Sequence, residues 1–355
     1  MKGLILAAGL GTRLRPITSL KPKPIISVAN KPLIHYAVED LVDTGVTEIG
    51  VVVGHGTADS LQETLEGIGG VSFEYIYQNP PQGLAHAVKV SRDFLGDDPF
   101  VVYLSDNIFE NGVRDFVRAF DREDGVSAVL ALAPVEDPRT LGVAVVEGDR
   151  ITRLVEKPEV PPSNLAVAGV YVFDRSIHDA IEVLQPGAKG EYQITDAIQL
   201  LIEAGHYVKP VQVRGWWKDT GQAEDILDAN RLQLLKLRRR IEGAVENAEV
   251  VGDVVIEPGA VVRNATVFGP ALIAAGAVVE EAYIGPFTTV GSEATICNAE
   301  LEYTVVGARS KIEGIRTRLQ ESLIGEEVVI CGHNGRPSTH RLIVGDKSQV
   351  VLRQL

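Results

Sequence analysis

The residues with the clearest chemical potential lie in a glycine-rich segment, residues 6–16, directly after the first apolar run of the chain. Gly9 and Gly11 allow a ligand to approach the backbone closely, and successive backbone amides in such a turn bind phosphate oxygens. The G-x-G-x-x-G pattern of a nicotinamide-dinucleotide site is not matched, because Leu14 replaces the third glycine. The segment therefore predicts a phosphate-binding turn, with a purely structural turn as the alternative.

The charge distribution favours the phosphate-binding interpretation. The chain has 34 basic and 48 acidic residues, which gives a formal net charge of −14. No aspartate or glutamate occurs in residues 1–38, and the basic residues of that segment are Lys2, Arg13, Arg15, Lys21, Lys23 and Lys31. Lys21 and Lys23 each precede a proline, which favours an extended backbone at both lysines. A local basic segment in an acidic protein indicates a small polyanionic ligand, and a solvated basic loop is the alternative.

The composition excludes several classes of protein. Apolar residues make up 45% of the chain and charged residues 23%, as in ordinary globular proteins. Cys297 and Cys331 are the only cysteines, too few for a disulfide framework or a four-thiolate zinc site. No apolar run approaches the roughly 20 residues that span a bilayer, and the acidic net charge disfavours nucleic acid and anionic membranes as partners. We therefore expect a cytoplasmic protein.

The first part of the chain alternates between strand-like and helix-like segments. Apolar, β-branched runs occupy residues 3–7, 49–53, 100–104 and 126–132, and helical periodicity occupies residues 33–42, 60–65 and 84–94. Strand-like segments follow at 142–147, 151–156 and 167–173, then helices at 176–184 and 194–203 and a strand at 208–213. This order predicts an α/β domain with a mostly parallel, mixed sheet and helices on both faces.

The composition changes towards the C-terminus. A helix is predicted for residues 223–241, acidic at its start and basic at its end, as the helix dipole favours. After residue 247, apolar residues recur near every sixth position and glycine often follows them, as in Ile284-Gly285 and Val290-Gly291. This period is typical of a parallel β-helix, and a sandwich of short strands is the alternative. We expect an α/β domain over 1–222, a linking helix over 223–246, and a β-helix domain with a C-terminal cap over 247–355.

Six motifs connect the chain to a known family. The first is the glycine-rich segment followed by Pro-Lys-Pro and Asn30-Lys-Pro-Leu33. The others are Gln78-Asn-Pro-Pro-Gln-Gly-Leu-Ala85, Ser105-Asp-Asn-Ile-Phe109, Glu156-Lys-Pro158, Gly190-Glu-Tyr-Gln-Ile-Thr-Asp196 and Trp217-Lys-Asp-Thr-Gly221. In this order they resemble the sugar-1-phosphate nucleotidylyltransferases, and the resemblance covers essentially the whole chain. It implies a Rossmann-like nucleotidyltransferase domain followed by a left-handed parallel β-helix.

The resemblance also implies a reaction. Such enzymes join a sugar phosphate to the α-phosphorus of a nucleoside triphosphate, so two anions must be brought together and held in line. The substrates implied are dTTP and glucose 1-phosphate, and the products are dTDP-glucose and pyrophosphate. Asp106 and Asp219 correspond to the ligands of a catalytic Mg²⁺, which needs one or two carboxylates, and Arg13 and Lys23 correspond to the catalytic cations. The phosphate monoester is itself the nucleophile, so no general base is expected.

The same resemblance assigns two further groups of residues. Those implied in nucleotide binding are Ala8, Gly9, Gly11, Thr12, Gln78 and Gly83. Gln78 and Gly83 correspond to the pair that contacts the base, where a side-chain amide could offer both a donor and an acceptor. Those implied in binding the sugar phosphate are Gly142, Glu156, Lys157, Gly169 and Tyr171. A homo-oligomer is also expected.

Three alternatives remain open at this point. The enzyme could use UTP or accept several nucleotides, because uridine-using relatives share the same framework. His333 and His340 in the β-helix domain leave open a second activity, acetyl transfer. A non-catalytic subunit that binds sugar nucleotides is the third alternative, and the presence of Arg13, Lys23, Asp106 and Asp219 argues against it.

Overall fold

The computed structural model of the chain describes residues 1–9, 11–121, 125–187, 190–332, 344–345 and 347–351. The chain forms two compact units. The first comprises Met1–Leu10, Pro22–Ile25 and Leu33–Asp219, and the second comprises Gly11–Lys21, Ile26–Pro32 and Thr220–Leu355. Two short N-terminal segments therefore belong to the second unit, although they lie within the predicted α/β domain. The domain boundaries at residues 222 and 246 stay predictions.

The elements up to residue 234 are as follows. The strands are β1 (Lys2–Leu6), β2 (Ser27–Val28), β3 (Lys31–Pro32), β4 (Glu48–Val53), β5 (Ser72–Tyr77), β6 (Phe100–Leu104), β7 (Asn107–Phe109), β8 (Val126–Pro134), β9 (Gly142–Glu147), β10 (Arg150–Glu156), β11 (Leu165–Phe173), β12 (Tyr207–Gln212) and β13 (Trp217–Asp219). The helices are α1 (Leu33–Asp43), α2 (Ala58–Leu65), α3 (Leu84–Val90), α4 (Arg92–Leu95), α5 (Arg114–Asp121), α6 (Ser176–Val183), α7 (Ile194–Glu203) and α8 (Ala223–Leu234).

The first unit is built on one mixed sheet, which confirms the predicted α/β fold class. Its strand order is β10-β9-β11-β6-β1-β4-β5, with β8 added beside β11 and β12 beside β8. Parallel pairing holds for β6-β1-β4-β5 and for β8-β12, whereas β11 is antiparallel to β6, β8 and β9. The sheet is therefore less parallel than the sequence predicted, because β8 to β11 follow one another without a helix between them.

Apolar residues of the central strands alternate between the two faces of this sheet. Leu4 and Leu6 of β1 pack in a cluster with α3, α6 and α7, while Ile5 packs in a second cluster with α1, α2 and α5. Both faces are covered, which explains why these strands are continuous apolar runs. No helix within the described ranges is both long enough and apolar enough to span a membrane.

Several elements differ from the predicted ones. The helix predicted for residues 84–94 is divided at Ser91, whose hydroxyl donates to the Ala87 carbonyl oxygen at 2.8 Å. The strand β5 was not predicted, since it lies at the edge of the sheet and its polar residues interrupt the apolar pattern. The short strands β7 and β13 form a separate antiparallel pair in which Asp219 lies opposite Asn107.

The second unit contains fifteen further strands among its described residues. They are β14 (Arg240–Ile241), β15 (Ala244–Glu246), β16 (Glu249–Val251), β17 (Val254–Ile256), β18 (Val261–Arg263), β19 (Thr266–Phe268), β20 (Ala271–Ile273), β21 (Val278–Glu280), β22 (Tyr283–Ile284), β23 (Thr288–Val290), β24 (Thr295–Cys297), β25 (Glu300–Val306), β26 (Lys311–Glu313), β27 (Leu319–Ile324) and β28 (Val329–Cys331).

These strands stack in parallel on strands one coil away. Ile256 of β17 lies beside Ile273 of β20, and Ile273 lies beside Val290 of β23. The apolar residues at the six-residue period, such as Ile284, Val290 and Ile296, are fully buried in one continuous core. The arrangement fits the left-handed parallel β-helix that was expected. His333, His340 and the expected C-terminal cap fall largely or wholly outside the described residues.

The prediction of one helix over residues 223–241 is wrong in its extent. The helix α8 ends at Leu234, and the strand β14 begins at Arg240, within the predicted helix. Arg239, one of the basic residues after α8, hydrogen-bonds to the β-helix instead of extending the helix. The backbone N–H of Arg239 donates to Asp253 at 3.2 Å, and its guanidinium donates to the Val250 carbonyl oxygen at 2.9 Å.

A buried asparagine on α8 connects three parts of the second unit. Asn230 is fully buried, and its Oδ1 accepts hydrogen bonds from the Ala29 backbone N–H and the Thr289 hydroxyl, both at 2.9 Å. Its Nδ2 donates to the Phe287 carbonyl oxygen at 3.2 Å. The Asn230 side chain therefore forms hydrogen bonds with polar groups in the β2–β3 turn and at two positions of the β-helix.

We predict that Asn230→Ala destabilises the second unit. Each buried polar group left without a partner costs roughly 1–3 kcal/mol, so the midpoint of thermal unfolding should fall by about 5 °C or more. Differential scanning calorimetry checks this. Gln233→Ala on the same helix, at a partly exposed position, is the control. A midpoint for Asn230→Ala equal to that of the control would contradict the structural role of Asn230.

Candidate active site

Two carboxylates and one ammonium group lie close together in the first unit. Asp106 follows β6, Asp219 ends β13, and Lys23 lies in a short 3₁₀ helix, Lys23–Ile25. The Lys23 Nζ atom is 2.6 Å from Asp106 Oδ2 and 3.8 Å from Asp219 Oδ1. The structure thus brings together the two predicted metal ligands and one of the predicted catalytic cations.

Lys23 is 8% exposed, so its charge is removed from solvent and needs the neighbouring carboxylates. Its local backbone differs from the extended conformation predicted from the flanking prolines. The Ile25 N–H donates to the Pro22 carbonyl oxygen at 3.1 Å, which closes a turn at Lys23. Lys21, by contrast, is exposed and pairs with Glu326 in the second unit at 2.5 Å.

Asn107 holds the carboxylate of Asp106 in place. Asn107 is 2% exposed, and its Nδ2 donates to Asp106 Oδ1 at 2.8 Å. Its Oδ1 accepts the indole N–H of Trp217 at 2.6 Å and the backbone N–H of Gly169 at 3.3 Å. Because Trp217 lies two residues before Asp219, the same amide also orients the strand that carries the second carboxylate.

A second group surrounds Glu156 at the end of β10. Its Oε1 atom is 2.6 Å from Lys157 Nζ, and its Oε2 atom accepts a hydrogen bond from the Thr195 hydroxyl at 3.0 Å. A Cβ atom at Gly142 would lie 2.7 Å from Thr195 Cγ2 and 3.3 Å from Glu156 Oε2. Three predicted sugar-site residues, Gly142, Glu156 and Lys157, are therefore adjacent.

The charge of Glu156 also influences two neighbours. Burial, and then the Glu156 carboxylate, raises the pKa of Tyr171 well above its ordinary value. The same two causes, in the same order, raise the pKa of Asp196. Tyr171 is a further predicted sugar-site residue, and its phenol therefore stays protonated as a hydrogen-bond donor at neutral pH. Gly169, two residues earlier on β11, contacts Asn107 instead.

A third group contains the predicted base-contacting pair. Gln78 follows β5 and is 4% exposed, and its Nε2 donates to the Gly83 carbonyl oxygen at 2.9 Å. The same Nε2 lies 3.1 Å from Nδ1 of His86 on α3. The amide that was expected to offer a donor and an acceptor to a base thus uses its NH₂ group within the protein. Gly83 has φ +99°, and a Cβ atom there would lie 2.5 Å from the Tyr192 carbonyl oxygen.

The predicted phosphate-binding segment is divided between the two units. Ala8, which is buried, and Gly9, which is exposed, follow β1 in the first unit. Gly11, Thr12 and Arg13 belong to the second unit, where Gly11 has φ +57° and precedes a 3₁₀ helix, Thr12–Leu14. The Gly11 carbonyl oxygen accepts hydrogen bonds from the Leu14 N–H at 3.0 Å and the Thr18 hydroxyl at 2.7 Å. Thr12 and Arg13 are exposed.

The sequence interpretation missed three side chains that support these groups, namely Asn107, Thr195 and His86. Each lies inside or directly after one of the six motifs, and Asn107 also lies next to Asp106, which was assigned a role. A buried polar side chain is expected to have hydrogen-bond partners. Its position in or beside a motif was therefore the available signal, but the identity of its hydrogen-bond partner depends on the fold.

The fold and the site define a class of enzyme. Asp106 follows the carboxyl end of β6 in the mixed sheet, where open α/β sheets bind ligands, and Asp219 of the β7–β13 pair and the buried Lys23 lie beside it. The sequence model of the family described as nucleotidyl transferase matches residues 2–235. The chain belongs to this family.

Individual relatives are similar over different lengths. A glucose-1-phosphate thymidylyltransferase of Streptomyces antibioticus is 42% identical, covering 99% of this chain and 100% of the relative. A low-salt glycan biosynthesis nucleotidyltransferase of Haloferax volcanii is 45% identical over the same shares of both chains. Among solved structures, a glucose-1-phosphate thymidylyltransferase of Bacillus anthracis, crystallised with sucrose, has a TM-score of 0.61 at 36% identity. That similarity covers 65% of this chain and 94% of the other.

We predict that Asn107→Ala lowers nucleotidyl transfer through kcat. The variant removes the amide that donates to Asp106 Oδ1, so Lys23 holds the carboxylate with one constraint fewer, and it leaves the Trp217 indole N–H without its acceptor. We expect kcat to fall by about tenfold or more while KM for the sugar phosphate changes less. Pyrophosphate release measures both constants. Asn111→Ala, whose side chain is exposed and binds only the Arg214 carbonyl oxygen among the described residues, is the control. Equal losses in kcat for the two variants would contradict this role.

Proposed function

We propose that this chain transfers a thymidylyl group from dTTP to glucose 1-phosphate, forming dTDP-glucose and releasing pyrophosphate. The observation that carries the proposal is the convergence of Asp106 and Asp219 on the buried Lys23 ammonium, at 2.6 and 3.8 Å. Two carboxylates from different strand ends and a fixed cation suit a reaction in which two phosphates must meet. The relative of Streptomyces antibioticus, 42% identical over essentially both full lengths, supports thymidine and glucose as the specific partners.

The residues at this position fit a magnesium ion. Mg²⁺ binds one or two carboxylates and keeps sites for water and phosphate oxygens. Among the described residues there is no cluster of three or more His, Cys, Asp or Glu side chains that would form a closed protein cage. Asp106 and Asp219 would hold the ion, and when bound it would neutralise phosphate charge and orient the triphosphate. The assignment of Mg²⁺ is part of the proposal.

The protein side chains supply the remaining charge and orientation. Lys23 presents a fixed positive charge beside the two carboxylates, where it would stabilise negative charge that develops on the triphosphate. Lys157 would bind the sugar phosphate, and Glu156, oriented by the Thr195 hydroxyl, would accept hydrogen bonds from sugar hydroxyl groups. No protein base is needed, because the attacking phosphate oxygen already carries negative charge.

The other roles in the proposal come from the resemblance of the sequence motifs to the sugar-1-phosphate nucleotidylyltransferases. Arg13 would act as a second catalytic cation, and Ala8, Gly9, Gly11 and Thr12 would bind nucleotide phosphates. Gln78 and Gly83 would contact the base. A homo-oligomer and a cytoplasmic location are also part of the proposal.

We predict that the preference of the enzyme among nucleoside triphosphates and sugar phosphates distinguishes this function from the alternatives. The assay combines dTTP, UTP, CTP, ATP and GTP with glucose 1-phosphate, galactose 1-phosphate and N-acetylglucosamine 1-phosphate in the presence of Mg²⁺. Released pyrophosphate is measured. The highest kcat/KM is expected for dTTP with glucose 1-phosphate. A higher value for UTP would favour the uridylyltransferase alternative, and no product from either nucleotide with glucose 1-phosphate would contradict the proposal.

We predict that the two aspartates are needed for turnover but not for sugar binding. Asp106→Asn and Asp219→Asn each remove a charge that would bind Mg²⁺, so kcat should fall by about 100-fold or more. Binding of glucose 1-phosphate, measured by calorimetry, should stay close to that of the wild type. Asp137→Asn is the control, because Asp137 is exposed and pairs only with Arg139 among the described residues. Near-normal pyrophosphate release from both aspartate variants would refute the metal assignment.

A further inference from the structure

The hydrogen bonds of Gln78 fix the orientation of its amide group. The Gly83 carbonyl oxygen can only accept, so the Gln78 atom that faces it at 2.9 Å must be the Nε2 donor. The second hydrogen of the same NH₂ group points at His86 Nδ1, 3.1 Å away. Among the described residues, no group donates to Gln78 Oε1. A nearly buried amide with both of its hydrogens engaged thus keeps its carbonyl oxygen for a ligand.

This geometry requires one particular form of His86. Nδ1 must carry a lone pair in order to accept from Gln78, so the ring is neutral and its proton lies on Nε2. An imidazolium would place an Nδ1–H against the Gln78 NH₂ group, and the contact would become repulsive. His86 therefore supports the observed orientation of Gln78 only while it is unprotonated.

The surroundings of His86 favour its neutral form. Burial, and then the charge of Lys89, lowers the pKa of His86. Lys89 lies on the same helix and pairs with Glu182 of α6 at 3.1 Å. From the segment before α7, the Tyr192 ring stacks on the imidazole with a centroid distance of 6.2 Å. Among the described residues, the titratable groups shown to act on or stack against the ring are thus Lys89, which pairs with Glu182, and Tyr192.

We infer that His86 is a positioning residue that holds Gln78 with its carbonyl oxygen towards the base and so selects bases with an N–H at position 3. Thymine and uracil carry a donor there, whereas cytosine carries a lone pair that Gln78 Oε1 would repel. The contact does not distinguish thymine from uracil, because both have the same N3–H. The inference rests on the proposed function insofar as it places the base beside Gln78 and Gly83.

The test compares nucleotide affinity in two variants at pH 8. His86→Leu removes the acceptor, while His86→Asn keeps an oxygen close to the position of Nδ1. Dissociation constants for dTTP, UTP and CTP are measured by calorimetry, so the result does not depend on catalysis. Loss of one oriented hydrogen bond should reduce the preference of His86→Leu for dTTP and UTP over CTP by about tenfold. His86→Asn should retain most of the wild-type preference.

The affinity for dTTP, measured over a range of pH, distinguishes an orienting role of His86 from a purely structural one. As pH falls through the lowered pKa of His86, the imidazole gains a proton at Nδ1 and the wild-type affinity for dTTP should decrease. His86→Asn has no proton to gain there, so it should show only the titration of the nucleotide itself. The histidine tautomer of the wild type is measured by ¹⁵N NMR with ring-labelled histidine, and His86→Asn identifies the signal. The Nε2–H tautomer is expected.

The outcomes distinguish this inference from the proposed function. An Nδ1–H tautomer, or an unchanged nucleotide preference in His86→Leu, overturns the inference even when the wild type is fully active. An equal loss in His86→Asn and His86→Leu also overturns it, because the acceptor would then be irrelevant. A wild-type protein that binds none of the pyrimidine nucleotides contradicts the proposed function, and the tautomer measurement then decides the positioning role by itself.

Discussion

The contact on which the site depends is the one between the Lys23 ammonium and the carboxylates of Asp106 and Asp219. An ammonium that is 8% exposed would be unfavourable by several kcal/mol without a negative partner. Two carboxylates directed at one position would in turn repel each other without the cation. The three charges therefore stabilise one another and fix the relative positions of the Lys23–Ile25 turn, the end of β6 and the strand β13.

Hydrogen bonds around these charges give the group its geometry. Strands β7 and β13 pair so that Asp219 lies opposite Asn107, the residue that follows Asp106. The Asn107 amide then donates a hydrogen bond to the Asp106 carboxylate and accepts one from the Trp217 indole N–H. Coulomb attraction alone would tolerate many arrangements, because it is non-directional. The buried amide and the backbone pairing restrict the carboxylates to one arrangement, which is what in-line phosphoryl chemistry requires.

The sequence allowed some of these features to be predicted and not others. Strands such as β1 and β6 were predicted because strands covered on both faces are continuous apolar runs, and the β-helix because its apolar residues recur near every sixth position. The edge strand β5 and the two short strands β7 and β13 have no such pattern. The helix predicted over 223–241 ends at Leu234 instead, and Arg239 beyond it hydrogen-bonds to Asp253 and Val250, which local charge patterning cannot show. Likewise, the motifs indicated Asp106, Glu156 and Gln78, but the partners that orient them were not predicted.

Three glycines among the predicted site residues make room for the residues that orient the functional side chains. A Cβ atom would lie 2.5 Å from the Tyr192 carbonyl oxygen at Gly83, 2.7 Å from Thr195 Cγ2 at Gly142, and 2.8 Å from Asn107 Cγ at Gly169. Real Cβ atoms do not approach other atoms this closely, so a side chain at any of the three would displace its neighbour. Thr195 orients Glu156, Asn107 orients Asp106, and Tyr192 stacks on the histidine beside Gln78. Glycine is therefore required at each position by the packing of a supporting residue, before any ligand binds. At these three positions the absence of a side chain allows the protein to orient its own functional groups.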